Sequence, residues 1–198
     1  MIARACVLLV AAVLLAGCAA YTLVPPGRTT VGQGLSVEAT SAWTHVAGED
    51  LPIVWTHDGV HLDSLWFILG IGDGQTLIRG SALSRDADED TKKGAIPVFR
   101  KDMSPTEIME LFDATIVRAL NTSLASASNL QPVNFAGQQG FRFDYRFTRQ
   151  DRVERAGVAT GAVRDGRLYL VFHFGSAIYH FERDRAEGEA IVASARFI

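Results

Sequence analysis

The chain reads as an α+β protein: antiparallel β-meander sheets packed by two helices. Three observations predict it. Asp-Gly pairs at 58-59, 73-74 and 165-166 punctuate strand-like flanks, and Asp-Gly suits a type I′ hairpin turn, where both central residues need φ > 0. Phe141, Phe143, Tyr145 and Phe147 alternate with Arg142, Asp144, Arg146 and Thr148, the two-residue period of a half-buried strand. Between the two groups of strands, apolar residues recur at three- and four-residue spacing, as one stripe of a helix does.

Taken in order, residues 51–57, 60–72 and 75–79 form a first meander around the first two Asp-Gly turns. A helix follows over 104–121: Ser104 caps it, Pro105 fits its first position and Glu107 completes a capping box. Ile108, Leu111, Phe112, Thr115, Ile116, Ala119 and Leu120 make its buried stripe. The second meander comprises the strand through 141–148 and strands over 153–164 and 167–175. An Asp165-Gly166 turn pairs Arg164 with Arg167 and Gly161 with Leu170. Leu168, Leu170, Phe172 and Phe174 then share the core face with Gly157, Ala159, Gly161 and Val163, small residues that leave room for the aromatics and for a helix. Residues 181–194 close the domain as a second helix, which Gly188 weakens by roughly 1 kcal/mol.

The N-terminus is of another kind. Arg4 precedes an apolar run over 7–15, and Leu15-Ala16-Gly17-Cys18 ends it. The run is roughly half of the ~20 residues a spanning helix needs. This arrangement resembles a bacterial lipoprotein signal peptide with its lipobox. The resemblance implies a diacylglyceryl group on the Cys18 thiol, cleavage before Cys18 and acylation of the freed amine. Ala19 and Ala20 follow, without the aspartate that retains enterobacterial lipoproteins in the inner membrane. That favours the periplasmic face of the outer membrane. The expected organisation is a signal peptide over 1–17, an acylated cysteine and tether over 18–34, and one α+β domain over 35–198. Pro25-Pro26-Gly27 and further glycines suggest the tether.

Composition suits a folded domain: 48% hydrophobic and 21% charged residues. The formal charge of −3 becomes −4 when Arg4 leaves with the signal, which argues against a nucleic-acid partner. Cys6 and Cys18 are the two cysteines. With one removed and one acylated, the mature domain relies on packing rather than a disulfide.

From Asn134 onward the layout resembles the PsbP-like fold, an α/β sandwich found in an extrinsic photosystem II subunit, in a Ran-binding transport factor and in bacterial lipoproteins. The matching residues are Gly140-Phe141-Arg142-Phe143-Asp144-Tyr145, then Asp165-Gly166-Arg167-Leu168-Tyr169, then Glu189-Ala190-Ile191-Val192-Ala193-Ser194. They report hairpins and packing, so the resemblance carries over no catalytic residue.

Candidate chemistry is sparse. His57 and His61 point to opposite faces if Asp58-Gly59 is a two-residue turn, so they do not share an ion. Asp86, Asp88 and Asp90 open like a calcium loop, but Thr91 replaces its glycine and Pro97 its glutamate. Gly70, Gly72 and Gly74 run into a strand-like segment rather than a helix, unlike a phosphate loop. Arg149, Arg152 and Arg155 surround a hairpin tip that could meet anionic lipid or cell-wall phosphates. The strand register places Arg142, Asp144, Tyr169 and His173 on the face away from the phenylalanines, with Arg142 and His173 flanking Val158. Those four are the candidate ligand-binding residues, for an anionic small molecule or a peptide carboxylate.

No Gly-x-Ser-x-Gly elbow, His-Glu-x-x-His or mature cysteine nucleophile is present. The expectation is a lipid-anchored envelope protein acting as a non-catalytic binding or assembly module, with neither metal nor cofactor. A periplasmic hydrolase of cell-wall or lipid substrates, built from residues that meet only in space, is the alternative.

Overall fold

Asp165 and Gly166 both adopt positive φ, 51° and 70°, and the hairpin they close has the expected register: Arg164 opposite Arg167, Gly161 opposite Leu170. The structure, a computed structural model, describes residues 21–47, 52–79 and 97–198. In chain order its elements are β1 (Tyr21–Val24), β2 (Gly27–Val31), β3 (Leu35–Ala39), β4 (Trp43–Val46), β5 (Ile53–Thr56), β6 (Asp63–Ile71), α1 (Pro105–Ala119), β7 (Ala125–Phe135), β8 (Gln138–Thr148), β9 (Glu154–Arg164), β10 (Arg167–Ser176), α2 (His180–Ala193) and β11 (Arg196–Phe197). Eight strands form one antiparallel sheet in the order β1-β4-β5-β6-β10-β9-β8-β7, and β11-β3-β2 form a second, smaller sheet.

The helix α1 is as its sequence dictates. The Ser104 hydroxyl accepts from Glu107 N, the Glu107 carboxylate accepts from Ser104 N, and Pro105 stands in the first turn. Its stripe sinks Phe112 among Phe143, Tyr145 and Phe172 at centroid distances of 5.4, 5.2 and 5.0 Å, edge-to-face contacts that aromatic quadrupoles favour. Ala159 and the half-buried Val163 share this core with Leu168, Leu170, Phe172 and Phe174. Gly157 has no room for a side chain, because a Cβ there would lie 2.6 Å from Phe172 Cε2.

The opposite sheet face is not the polar surface the strand pattern suggested. Helix α2 and the small sheet cover it, burying Val37, Trp43, Trp55, Leu65, Phe67, Val171 and Ile191 in a second core. Strand β6 lies in the middle of the large sheet, between β5 and β10, and its run Leu65-Trp66-Phe67-Ile68 serves both cores. A continuous apolar strand is the signature of a sheet covered on both sides.

Three expectations are corrected. The expected tether over 18–34 contains β1 and β2 from Tyr21 to Val31: Pro25 and Gly27 mark the bend between two strands rather than a linker. Asp58-Gly59 does not make a two-residue turn. The Asp63 carboxylate accepts from His57 N at 2.7 Å, Asp58 N at 2.8 Å and the Thr56 hydroxyl at 3.1 Å, holding a longer connection in which only Gly59 has positive φ. Residues 75–79 are not a strand, although Gln75 O accepts from Phe99 N at 2.8 Å. Strand β7 was not anticipated, since Pro132 interrupts its pattern. As an edge strand bulged between Ser128 and Gln131, it can hold a proline.

Candidate functional site

The chemistry of this domain gathers where α2 crosses the large sheet. Alternation along β10 sends Leu170, Phe172 and Phe174 into the α1 core and turns His173 toward α2. There the His173 ring lies beneath Gly188 and stacks on Phe181 at 5.6 Å. It is 4% exposed, and its Nε2 is buried without a hydrogen-bond partner. Burial pushes this imidazole down to about 4, against the pull of Asp184 and Asp63.

On the β8 side of His173 opens a cavity of about 190 Å³. Arg142, Thr160, His173, Arg185 and Glu189 give its polar groups, and Val158 and Val192 its apolar floor. Glu189 Oε1 bridges both arginines, at 3.1 Å from Arg142 Nη2 and 3.3 Å from Arg185 Nε. Arg185 Nη1 also lies 3.8 Å from Glu182 Oε1, so two guanidiniums face two carboxylates. What the rim offers a ligand carboxylate is the forked N–H donors of Arg142 and Arg185 rather than a net charge.

Of the four sequence candidates, Arg142 and His173 meet in this cavity. Asp144 lies in the adjoining groove with Arg146 and Arg185, where Asn129 Nδ2 donates to it at 2.8 Å. The β8–β9 register differs by two residues from expectation, which keeps the faces but moves the partners: Asp144 and His173 flank Val158, while Arg142 opposes Thr160. Tyr169 does not join them. It packs on Phe197 at 4.9 Å and lines a separate depression with Gln33 and Arg167.

The other side of His173 holds a group that sequence reasoning missed. Ser41 Oγ lies 2.9 Å from His57 Nε2, and His57 Nδ1 lies 3.8 Å from Asp184 Oδ1. The order of groups is that of a hydrolytic triad, yet the proton count opposes it. Ser41 Oγ is 2.7 and 2.9 Å from the two Glu187 oxygens, which can only accept. The single hydroxyl proton therefore faces Glu187, and His57 Nε2 donates to the serine instead of taking its proton. Burial pushes the Glu187 carboxyl up, but hydrogen bonds from the Ser41 hydroxyl and N–H, Thr40 and Trp43 outweigh it and hold it below its ordinary range. Trp43 stacks on His57 at 3.7 Å and closes the group from the β4 side.

His57, Asp63 and Asp184 bring one ligand atom each within 4.8 Å of one another. Their oxygens are engaged, however. Asp63 accepts the three bonds that shape the β5–β6 connection, and Asp184 takes a bidentate grip from Arg183 at 2.7 Å to each oxygen. A cation there would face the Arg183 guanidinium, which Asp184 and Asp58 hold charged. His61 is not part of this group; it lies beside Arg149.

The arginine tip is also corrected. Arg155 is buried, bound by Asp151 at 2.6 and 3.1 Å and by the carbonyls of Val153 and His61 at 2.9 Å. It is a strut, not a phosphate ligand. The Asp86, Asp88, Asp90 segment and Cys18 lie outside the described residues. A further cavity of about 560 Å³ lies between the start of α1 and the β7–β8 strands, with Met103, Ile108, Leu130, Pro132 and Phe141 among its lining.

Signals for the missed residues were present but weak. Asp184, Gly188 and Ile191 at helical spacing, with an acid and a glycine among the buried positions, mark a face packed on something polar. Ser41 carries no local signal, because its partners are 16 and 146 residues away.

No family model matches the chain, and no curated protein matches it in sequence. Among solved structures, the solution structure of cyanobacterial PsbP (CyanoP) from Synechocystis sp. PCC 6803 matches with a TM-score of 0.53 and 18% identity, over 92% of this chain and 95% of that one. The crystal structure of LpqN, involved in cell envelope biogenesis of Mycobacterium tuberculosis, matches with a TM-score of 0.39 and 8% identity, over 89% of this chain and 91% of that one. The first likeness extends over nearly the whole chain, and the fold is the PsbP-like α+β sandwich that the C-terminal motifs resemble.

Proposed function

We propose that this protein is a lipid-anchored envelope protein whose sandwich domain is a non-catalytic binding module for a carboxylate-bearing ligand. Cys18 carries the anchor, and the absence of an aspartate behind it favours the periplasmic face of the outer membrane. The observation that carries the binding role is the cavity beside α2. It sets Arg142 and Arg185 at its rim, His173 at its base and a short apolar floor between them. A volume of about 190 Å³ accommodates a carboxylate with a small side chain, such as the end of a peptide. Among the described residues no helix is long and apolar enough to cross a membrane.

The test has two parts. Labelled palmitate with membrane fractionation is expected to mark the wild-type protein in the outer-membrane fraction and to miss Cys18→Ala. A short acetylated peptide with a free C-terminal carboxylate is expected to bind the wild type, and its C-terminal amide to bind at least tenfold more weakly. Arg142→Ala should lose the preference without unfolding. Equal binding of acid and amide overturns the binding role.

A hydrolase is the second reading, because Ser41, His57 and Asp184 are collinear in function. It requires Glu187 to release Ser41. A fluorophosphonate probe that labels the wild type and spares Ser41→Ala would establish it over the binding role.

A further inference from the structure

We propose that the face of β1 carrying Tyr21 and Leu23 is a membrane-contact surface, seated at the headgroup–acyl boundary of the bilayer that holds Cys18. The proposal rests on the lipobox reading of Cys18 and adds to it how the domain lies.

Distance is the first argument. A tether running to residue 34 would let the domain wander roughly 55 Å from an acylated Cys18, at about 3.3 Å per extended residue. The first strand instead begins at Tyr21. Three residues of chain reach at most about 10 Å, so the edge of an eight-stranded sheet is brought within side-chain range of the lipid surface.

The second argument is what that edge presents. Period-2 alternation places Tyr21 and Leu23 on one face of β1 and Val24 on the other. Val24 is buried, whereas Tyr21 and Leu23 are 65% and 68% exposed. In register with Tyr21, the row continues through Val46, Val54 and Trp66 on three successive strands. All three are half-buried, and Thr44 stands opposite Leu23. This face carries one uncharged apolar row whose exposed end is on the strand nearest the anchor, flanked there by Leu23, whose own row continues into Thr44 and Thr56.

The chemistry names the occupant. Tyrosine with a neighbouring leucine suits an interface whose one side is hydrocarbon and whose other side is wet: the ring and the branched chain sink, and the phenol stays at the headgroups. Ile178 in the β10–α2 connection, 91% exposed, is 160 positions from Cys18 along the chain and serves as the comparison. The acyl chains would hold the protein on the membrane, and the β1 face would fix its orientation. In that pose the domain does not swing on a leash.

A single-thiol experiment tests it, since processing leaves no free cysteine in the mature chain. Leu23→Cys and Ile178→Cys are each purified as the acylated full-length protein, labelled with an environment-sensitive fluorophore and reconstituted in phosphatidylethanolamine–phosphatidylglycerol vesicles. A nitroxide carried on the upper acyl chain should quench the label at 23 at least twofold more than the label at 178. Aqueous iodide should show the reverse order. Equal quenching at both positions, with palmitate incorporation intact, leaves the anchor standing and overturns the membrane face. Loss of palmitate incorporation in the unsubstituted protein overturns the lipobox reading and this proposal together. Shielding of position 23 from iodide in cells but not in vesicles indicates a protein partner at this edge and overturns the lipid assignment.

Discussion

Gly188 of α2 rests directly on the imidazole of His173: a Cβ at 188 would fall 2.7 Å from both Cγ and Nδ1 of that ring. The glycine that weakens the helix by propensity is the residue that lets the helix dock. Gly188→Ala is therefore expected to destabilise the domain, by about 1–2 kcal/mol after the helix gain of roughly 1 kcal/mol is set against the steric cost. Urea denaturation measures it. The second substitution His173→Ala should make Gly188→Ala neutral or favourable, a coupling that a double-mutant cycle reads directly.

Stability should depend on pH through His173. Its folded-state value lies near 4 against an ordinary 6.5. The unfolded chain therefore binds the proton first as pH falls, and the stability supplied by the neutral buried ring is full above 6.5 and lost between 6.5 and 4. Two and a half units correspond to about 3 kcal/mol at most. Denaturation midpoints at pH 7 and 4.5 should differ clearly in the wild type and much less in His173→Asn. Loss of the Glu187 contribution, a carboxylate held low, comes at lower pH as the medium approaches that group's folded-state value.

Arg155 offers a test of the corrected arginine tip. Its guanidinium is closed between Asp151 and two carbonyls, and Arg155 holds the Asp151 carboxyl down at about 2. Asp151→Ala leaves that charge buried with carbonyl partners alone, at an expected cost of about 2–3 kcal/mol, below the usual range for a fully buried pair because Asp151 is half-exposed. Substituting Arg152 should change stability by less than about 0.5 kcal/mol. A phosphate-binding tip would show the opposite ranking, with both arginines affecting vesicle binding and neither affecting the melting temperature.

Gly157→Ala should be the more severe of the two glycine changes. Its Cβ would meet Phe172 Cε2 at 2.6 Å and both His173 O and Phe174 Cβ at 2.7 Å, and no flexible side-chain tip is there to yield. Overpacking of this kind costs about 2–3 kcal/mol. A fall in melting temperature of several degrees is expected, and retention of the wild-type value would show that β9 and β10 can separate locally.

Local chemistry explains which parts of this fold could be foreseen. The β9–β10 register was legible because two adjacent residues, Asp165 and Gly166, set it without help. Helix α1 was legible because Ser104, Pro105 and Glu107 specify its start within four positions. Asp58-Gly59 carries the same dipeptide and makes a different connection, because Asp63 accepts from Thr56, His57 and Asp58 and draws the chain into a wider loop. Tyr21–Val24 looked like a linker because its pairing partner, Trp43–Val46, is some twenty residues away and shows no alternation of its own. The site divides in the same way. Arg142 and His173 could be placed on one face from strand period alone. Ser41, Asp184 and Glu187 could not, since they meet only when α2 is laid across strands from the other end of the chain.

The pairing of β11 with β3 has a kinetic side. Arg196 and Phe197 complete the small sheet against Ser36 and Leu35, and Ser194 Oγ accepts from Glu38 N across 156 positions of sequence. The second core, with Ile191 and Ala195 in it, therefore has no lid until almost the entire domain has been made. Closing so long a loop is slow, and contacts of this separation form late. A chain whose sheet stays half-covered until β11 arrives is poorly able to fold early.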